Sequence, residues 1–194
     1  MDKREQICIA ARELFSNYGF KKVSMDEIAN LANVSKVTIY SYFKDKDDLL
    51  NYFIEEEILS MKEQINNNYN ENITFFDNLH DNLLTMLKYR NEQQLLLKLT
   101  QEANYLNNIK LKSKLLKLDE NITNFIKEKL DDAESKGYIK KVNNKLLATV
   151  IFSSYTSVIL KYDEFKKTLS DTEISNNLIN IIKNGLMLGD ETNE

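Results

Sequence analysis

An all-α protein is predicted, with a three-helix unit in residues 1–46 and a larger helical unit in 47–194, about nine helices in all. Three observations lead there. Only 4 Gly and no Pro occur in 194 residues, so few positions can punctuate the chain, which favours long helices over the dense turns of a sandwich or barrel. Apolar residues recur at helical spacing along most of its length. With 42% apolar and 29% charged residues, a chain of this length can bury about 70% of its unfolded surface. Disorder and collagen-like structure are thereby excluded.

The elements follow in order. Ile7, Ala11, Leu14, Phe15 and Tyr18 make one apolar stripe of a first helix, and Gly19 stands where a left-handed C-terminal cap belongs. Ser24-Met25-Asp26-Glu27 is a Ser-x-x-Glu capping box ahead of Ile28, Ala29, Leu31 and Ala32, which opens a short second helix. Asn33 tolerates the left-handed turn that follows. Val34 plugs that turn into the core, and Ser35 caps a third helix running to about Phe43. Two short helices joined by a three-residue turn is the helix-turn-helix spacing. A longer helix over 46–65 carries Leu50, Phe53, Ile54, Ile58, Met61 and Ile65 and ends in the Asn66–Asn70 region. Further helical patterns cover 74–89, 92–106 and 109–136, the last closed by Gly137. Asn143 announces a helix over 144–162, and Asp171 or Thr172 one over 172–188.

Composition narrows function as well as fold. Cys8 is the single cysteine, so no intramolecular disulfide forms, and no charged-apolar-small signal peptide opens the chain; a cytoplasmic protein is expected. Cys8 itself is expected to be a small, partly buried hydrophobe and not a redox sensor. The longest uncharged run, Leu146–Leu160, has 15 residues and holds several hydroxyls, too short and polar for a membrane span of about 20. With one His and one Cys there is no cluster for a metal or a Cys-His nucleophile, and no paired carboxylates, Gly-rich phosphate loop or triad spacing stands out. No cofactor, no metal and no enzymatic activity are expected. His80, beside Leu79, Leu83 and Leu87, is expected to be a hydrogen-bonded core residue. Residues 1–50 hold 8 basic and 8 acidic side chains, whereas 51–194 hold 18 and 22, so the net charge of −4 belongs to the larger segment. Any nucleic-acid binding must therefore rest on locally focused positive charge. The 24 Asn, including Asn66-Asn67-Asn68, are taken as loop filling.

On a helix starting after Ser35, Ile39 and Phe43 share one face and pack inward, leaving Lys36, Val37, Thr38, Tyr40 and Ser41 outward. Lys and Tyr reach phosphates or base edges, and Val or Thr methyls contact the thymine methyl, so the exposed face suits DNA. The bland alternative is a solvated Lys36 with Tyr40 and Tyr42 shielding the rim of a small core. Here the sequence resembles the TetR family of bacterial transcriptional regulators. The resemblance rests on Ile7–Phe20, on Ser24-Met25-Asp26-Glu27-Ile28-Ala29, on Val34-Ser35-Lys36 with Thr38–Phe43, and on Lys46-Asp47-Asp48-Leu49-Leu50, all in register.

That resemblance implies a DNA-binding head at 1–46 and an effector-binding and dimerisation domain at 47–194. It implies that Lys36, Val37 and Thr38 face bases in the major groove, that Tyr40 and Tyr42 touch the phosphodiester backbone, and that Lys46 and Ser24 clamp flanking phosphates, with Ser35, the cap of the helix, also among the DNA-binding residues. At Asn33 and Val37 the family often has Gly; Asn33 keeps the turn, and Val37 adds an apolar group at the DNA face. The expected partners are a double-stranded inverted-repeat operator, a second copy of the chain and a hydrophobic or aromatic small-molecule effector, with no membrane. Phe76, Met86, Tyr89, Tyr105, Phe125, Phe152 and Tyr155 either line an effector pocket or form ordinary core.

Helices 144–162 and 172–188 are apolar on more than one face, which calls for partners on two sides. A two-fold dimer through a four-helix bundle answers this, with Leu147, Ile151, Ser154, Val158, Leu178, Ile181, Ile182 and Gly185 at the interface; a monomer with a thick core is the alternative. The expected function is a homodimeric repressor released from an inverted-repeat operator by a small molecule. The competing expectation is a helical protein-binding adaptor or co-activator whose head does not contact DNA.

Overall fold

The computed structural model describes residues 2–88 and 94–186, and among these the only regular structure is helical. The described residues form ten helices: α1 (Lys3–Tyr18), α2 (Met25–Leu31), α3 (Lys36–Tyr42), α4 (Lys46–Asn67), α5 (Phe75–Lys88), α6 (Gln94–Tyr105), α7 (Ile109–Ser135), α8 (Asn144–Leu160), α9 (Tyr162–Phe165) and α10 (Asp171–Leu186). The short α9 is an addition to the expected set. None is long and apolar enough to cross a membrane.

Caps account for most boundaries. The Asp2 carboxylate accepts the Glu5 N–H at 2.9 Å to start α1, and Gly19, at φ 87°, ends it in a conformation that costs other residues a Cβ clash. At α2 both halves of the capping box form: Ser24 Oγ accepts from Glu27 N–H, and Glu27 Oε2 accepts from Ser24 N–H at 2.7 Å. Asn33 takes the left-handed conformation at φ 52°, as the turn requires. Ser35 Oγ accepts the Thr38 N–H at 3.0 Å and starts α3. For α10 the cap is Ser170, not Asp171 or Thr172: Ser170 and Glu173 exchange the same pair of hydrogen bonds as Ser24 and Glu27.

Two compact units emerge. The first comprises residues 1–59 and 91–118, the second residues 60–90 and 119–194. In the first, α1, α2 and α3 close around Ile7, Ala11, Phe15, Ile28 and Ile39, with Leu49, Leu50 and Phe53 from α4; all eight are 3% exposed or less. Phe15 meets Phe20 and Phe53 edge-on, at 5.3 and 6.2 Å between ring centres. α6 packs on α1, turning Leu95, Leu99 and Ala103 inward. Buried Glu102 on α6 accepts the Lys21 N–H at 2.7 Å, and a Cβ at Gly19 would approach the same carboxylate to 2.7 Å.

In the second unit, Leu130, Ala133, Ile139, Ala148 and Ile151 form the centre, with Phe75, Phe76, Ile126, Leu147 and Ile182 packed on it. α5 and α10 pack along each other, joined by a hydrogen bond from Ser175 Oγ to the His80 carbonyl. Asn144 Nδ2 donates to Asp131 and Glu134, which ties the start of α8 to the end of α7.

Candidate nucleic-acid interface and internal cavity

α3 has a buried face and an exposed one. Ile39 has no exposed surface and Phe43 has 3%, whereas Val37 is 81% exposed and Tyr40 and Tyr42 about half exposed. Lys36, Ser35 and Ser41 are exposed and Thr38 is half-buried. Two inward apolar side chains four residues apart fix the helix on the core, so the outward set follows from the helical repeat. Local hydrogen bonds organise that surface: Ser35 Oγ lies 2.8 Å from Thr38 Oγ1, and the Ser41 hydroxyl donates to the Thr38 carbonyl at 2.7 Å. Lys36 Nζ lies 2.8 Å from Asp26 Oδ2, and the hydrogen bond and attraction of that carboxylate raise the ammonium's pKa. Both groups are solvated, so this pair is weak and open to exchange for a phosphate.

Ser24 and Lys46 stand differently. Ser24 is exposed, but its hydroxyl donates to Glu27 as well as accepting the cap bond, and those hydrogen bonds hold the Glu27 carboxyl below the usual carboxylate range. Lys46 is half-buried and donates to the carbonyls of Phe20 at 2.7 Å, Val23 at 2.6 Å and Lys21 at 3.4 Å, while lying 4.6 Å from the centre of the Phe20 ring. Burial lowers its pKa, against the opposing pull of Glu102, Asp47 and Glu27. All three ammonium protons thus point at the turn before α2, and Lys46 as placed offers none to an outside phosphate.

The second unit holds a cavity of about 570 Å³, partly open, between α5, α7 and α8 and the end of α4. Of the seven aromatic and Met positions singled out from the sequence, Phe76, Met86, Phe125, Phe152 and Tyr155 line it. Phe152 and Tyr155 stack at 6.4 Å, and Phe75 meets Phe76 edge-on at 5.4 Å. Tyr105 does not belong to it: this residue is 93% exposed at the end of α6, whose other face carries the buried residues. Tyr89 lies outside the described residues. Tyr69, Phe75 and Tyr138 line the cavity without having been singled out. Tyr69 was hidden in the Asn-rich stretch and Tyr138 behind Gly137, both in segments whose local pattern signals only a loop. His80 lies off the cavity; its Nδ1 is 3.2 Å from Asp81 Oδ1, and its buried Nε2 has no hydrogen-bond partner among the described residues. Cys8 is half-buried, and burial with the nearby Glu56 pushes its thiol up to about 11, which leaves it protonated and unreactive near neutral pH.

The sequence model of the bacterial regulatory proteins, tetR family, matches residues 7–53, which span α1–α3 and the start of α4. An uncharacterized HTH-type transcriptional regulator of Bacillus subtilis, YhgD, is 29% identical over 186 residues, covering 96% of this chain and 97% of its own. Residues 7–53 thus carry the TetR-family sequence pattern, and the chain is similar to a regulator of the helix-turn-helix type over nearly its whole length. Its helix-turn-helix is the DNA-binding element of that family's transcriptional regulators. Solved structures agree on the fold. A TetR-family regulator from Syntrophomonas wolfei superposes with a TM-score of 0.81 at 18% identity over 97% of this chain and 98% of its own. The regulator FadR from Bacillus subtilis, solved with stearoyl-CoA, superposes with a TM-score of 0.78 at 22% identity over 95% and 100%.

The C-terminal helices differ in one detail from the expected dimer face. Ile151, expected at a dimer interface, is 5% exposed inside the core of the second unit and lines the cavity. Leu147, Ser154, Val158, Leu178 and Ile182 are half-buried and Ile181 is 73% exposed; the surroundings of Gly185 lie outside the described residues. The exposed stripe of α8 runs one residue earlier, through Leu146, Val150, Ser153, Ser157 and Leu160, at alternating steps of four and three. A helix apolar all round gives its periodicity no preferred face, and the core of the chain takes the Leu147–Ile151 side.

Proposed function

We propose that this chain, similar to TetR-family regulators, is a homodimeric repressor that binds an inverted-repeat operator and leaves it when a small molecule with a hydrophobic or aromatic body enters the second unit. The observation that carries the reading is α3: a short helix anchored by Ile39 and Phe43 that offers Lys36, Val37, Thr38 and Tyr40 outward. Lys36 and Thr38 suit base edges, Val37 a thymine methyl, and Tyr40 and Tyr42 the phosphodiester backbone. Ser35 and Ser24 act first as caps, and Lys46 as the clamp of the turn that precedes α2. Pairing of two copies rests on the exposed α8 stripe together with Ile181, where Ser153 and Ser157 allow close approach of backbones. Two-fold symmetry then puts two α3 helices about one DNA turn apart. The cavity supports the effector part, as does the ligand held by the FadR neighbour of the same fold. An effector acts only through unequal affinity for the DNA-competent state and the released state. No catalytic role and a cytoplasmic location complete the reading.

The experiment is a fluorescence-anisotropy titration of labelled duplex from the region upstream of the protein's own gene, against a scrambled duplex, at several salt concentrations. A specific site bound at least about a thousandfold more tightly than the scramble supports the reading. Equal affinity for both duplexes at every salt concentration contradicts it.

A further inference from the structure

Three lysines from three helices gather over rings that line the cavity. Lys62 on α4 and Lys129 on α7 both place Nζ over the Phe125 ring, at 5.5 and 5.3 Å from its centre. Lys183 on α10 sits over Phe76 at 5.9 Å. Phe125, Phe76 and Lys129 itself are part of the cavity wall. None of the three ammoniums lies within ion-pair distance of a carboxylate among the described residues. The other charges on the wall nearly cancel: Asp132 holds Lys136 at 2.7 Å, which leaves Glu71 as the one carboxylate of the wall outside an ion pair among the described residues.

This arrangement decides the charge of a ligand. A cation seeking the cavity's rings would meet Phe125 and Phe76 with ammoniums already on them, and would be repelled by like charges. A neutral apolar molecule would gain the walls but nothing from the lysines. An anion would gain both, because Lys129 stands in the wall and Lys62 and Lys183 lie over two of its rings, where apolar surroundings lower the local dielectric. We propose, building on the effector-cavity reading, that the ligand is an amphipathic anion: its apolar body fills the space between Phe76, Phe152 and Tyr155, and its anionic head is held by Lys129 and Lys62 beside Phe125. The volume of about 570 Å³ falls within the range of roughly 300–1,000 Å³ typical of small-molecule sites. The same head-group chemistry is shared by a free carboxylic acid and by the phosphates of an activated thioester.

The test uses calorimetric titration of the full chain with four probes of one chain length: dodecanoate, dodecanol, dodecyltrimethylammonium and dodecanoyl-CoA, each below its aggregation limit. Dodecanoate or dodecanoyl-CoA binding more tightly than dodecanol, and dodecyltrimethylammonium more weakly, is the expected order; whichever anion binds better identifies the source of the head. The Lys62→Met, Lys129→Met variant removes both charges, keeps unbranched apolar side chains of similar length beside Phe125, and is expected to weaken the anion at least roughly tenfold while leaving dodecanol unchanged. Dodecanol or dodecyltrimethylammonium binding as tightly as both anions, or an unchanged anion affinity in the double variant, overturns the anionic head while keeping the cavity as a binding site. Failure of all four probes to bind overturns the cavity reading itself, and this inference with it.

Discussion

Two lysines of the first unit show how the same residue type divides between architecture and recognition. Lys36 is solvated and holds one exchangeable partner, Asp26, whereas Lys46 directs its protons at the carbonyls of Phe20, Lys21 and Val23. Lys36→Ala is expected to weaken binding to the operator and to reduce the slope of log affinity against log salt by up to about one, since a base-reading side chain that also brings a positive charge into the groove is gone. Lys46→Met keeps an apolar stem on the Phe20 ring but strands the carbonyls, which predicts a loss of about 1–3 kcal/mol in stability by urea unfolding and an unchanged salt slope at temperatures where the head is folded. A salt slope lowered equally by both substitutions would show that Lys46 leaves its carbonyls for phosphate. From the sequence the two lysines look alike. Lys46 differs because a residue 26 positions away supplies its nearest ring and one of its acceptors, and that proximity exists only after the turn between α1 and α2 has formed.

Among the elements, those with local signals were the legible ones. Ser24-x-x-Glu27, Asn33, Ser35 and Asn143 each act through bonds to residues at most four positions away, so the sequence places the starts of α2, α3 and α8 correctly. Ser170-x-x-Glu173 is an equally local box that Asp171 and Thr172, themselves capable caps, obscure. The working face of α8 was not legible to the residue, because Leu146, Leu147, Val150 and Ile151 differ only in what surrounds them after folding. Five of the seven positions singled out for a cavity line one, while Tyr105 shows that an aromatic at helical spacing can equally face water. The capping box at α2 also carries a pH dependence. Hydrogen bonds from Ser24 hold the folded-state pKa of Glu27 below its unfolded value, so their stabilisation is complete above the ordinary carboxylate range and disappears as pH falls through the folded pKa. Ser24→Ala is expected to lower the urea midpoint near neutrality and to shrink the difference between wild type and variant as the pH falls from about 5 to about 2. A difference that stays constant over that range would remove Glu27 from the account.

At the scale of the molecule, charge and symmetry work together. The net charge of −4 belongs to the larger segment, while the first 50 residues are balanced, so the chain as a whole is not drawn to DNA by bulk electrostatics. Affinity must then come from a small focused surface used twice, which is why the proposed pairing through α8 matters as much as the chemistry of α3. A single head whose α3 offers one lysine and two tyrosines makes few contacts with a duplex; two heads held on one face of it double them and set the spacing of the half-sites. The acidic remainder would also suppress binding to unrelated sequence, leaving discrimination to Lys36, Val37 and Thr38. DNase footprinting of the upstream region with the wild-type chain and with the Lys36→Ala, Tyr40→Ala variant tests this most directly. The account predicts two protected half-sites, related by two-fold symmetry and about one helical turn apart, that vanish in the variant while its thermal unfolding is unchanged. Protection that persists undiminished in a folded variant would contradict it.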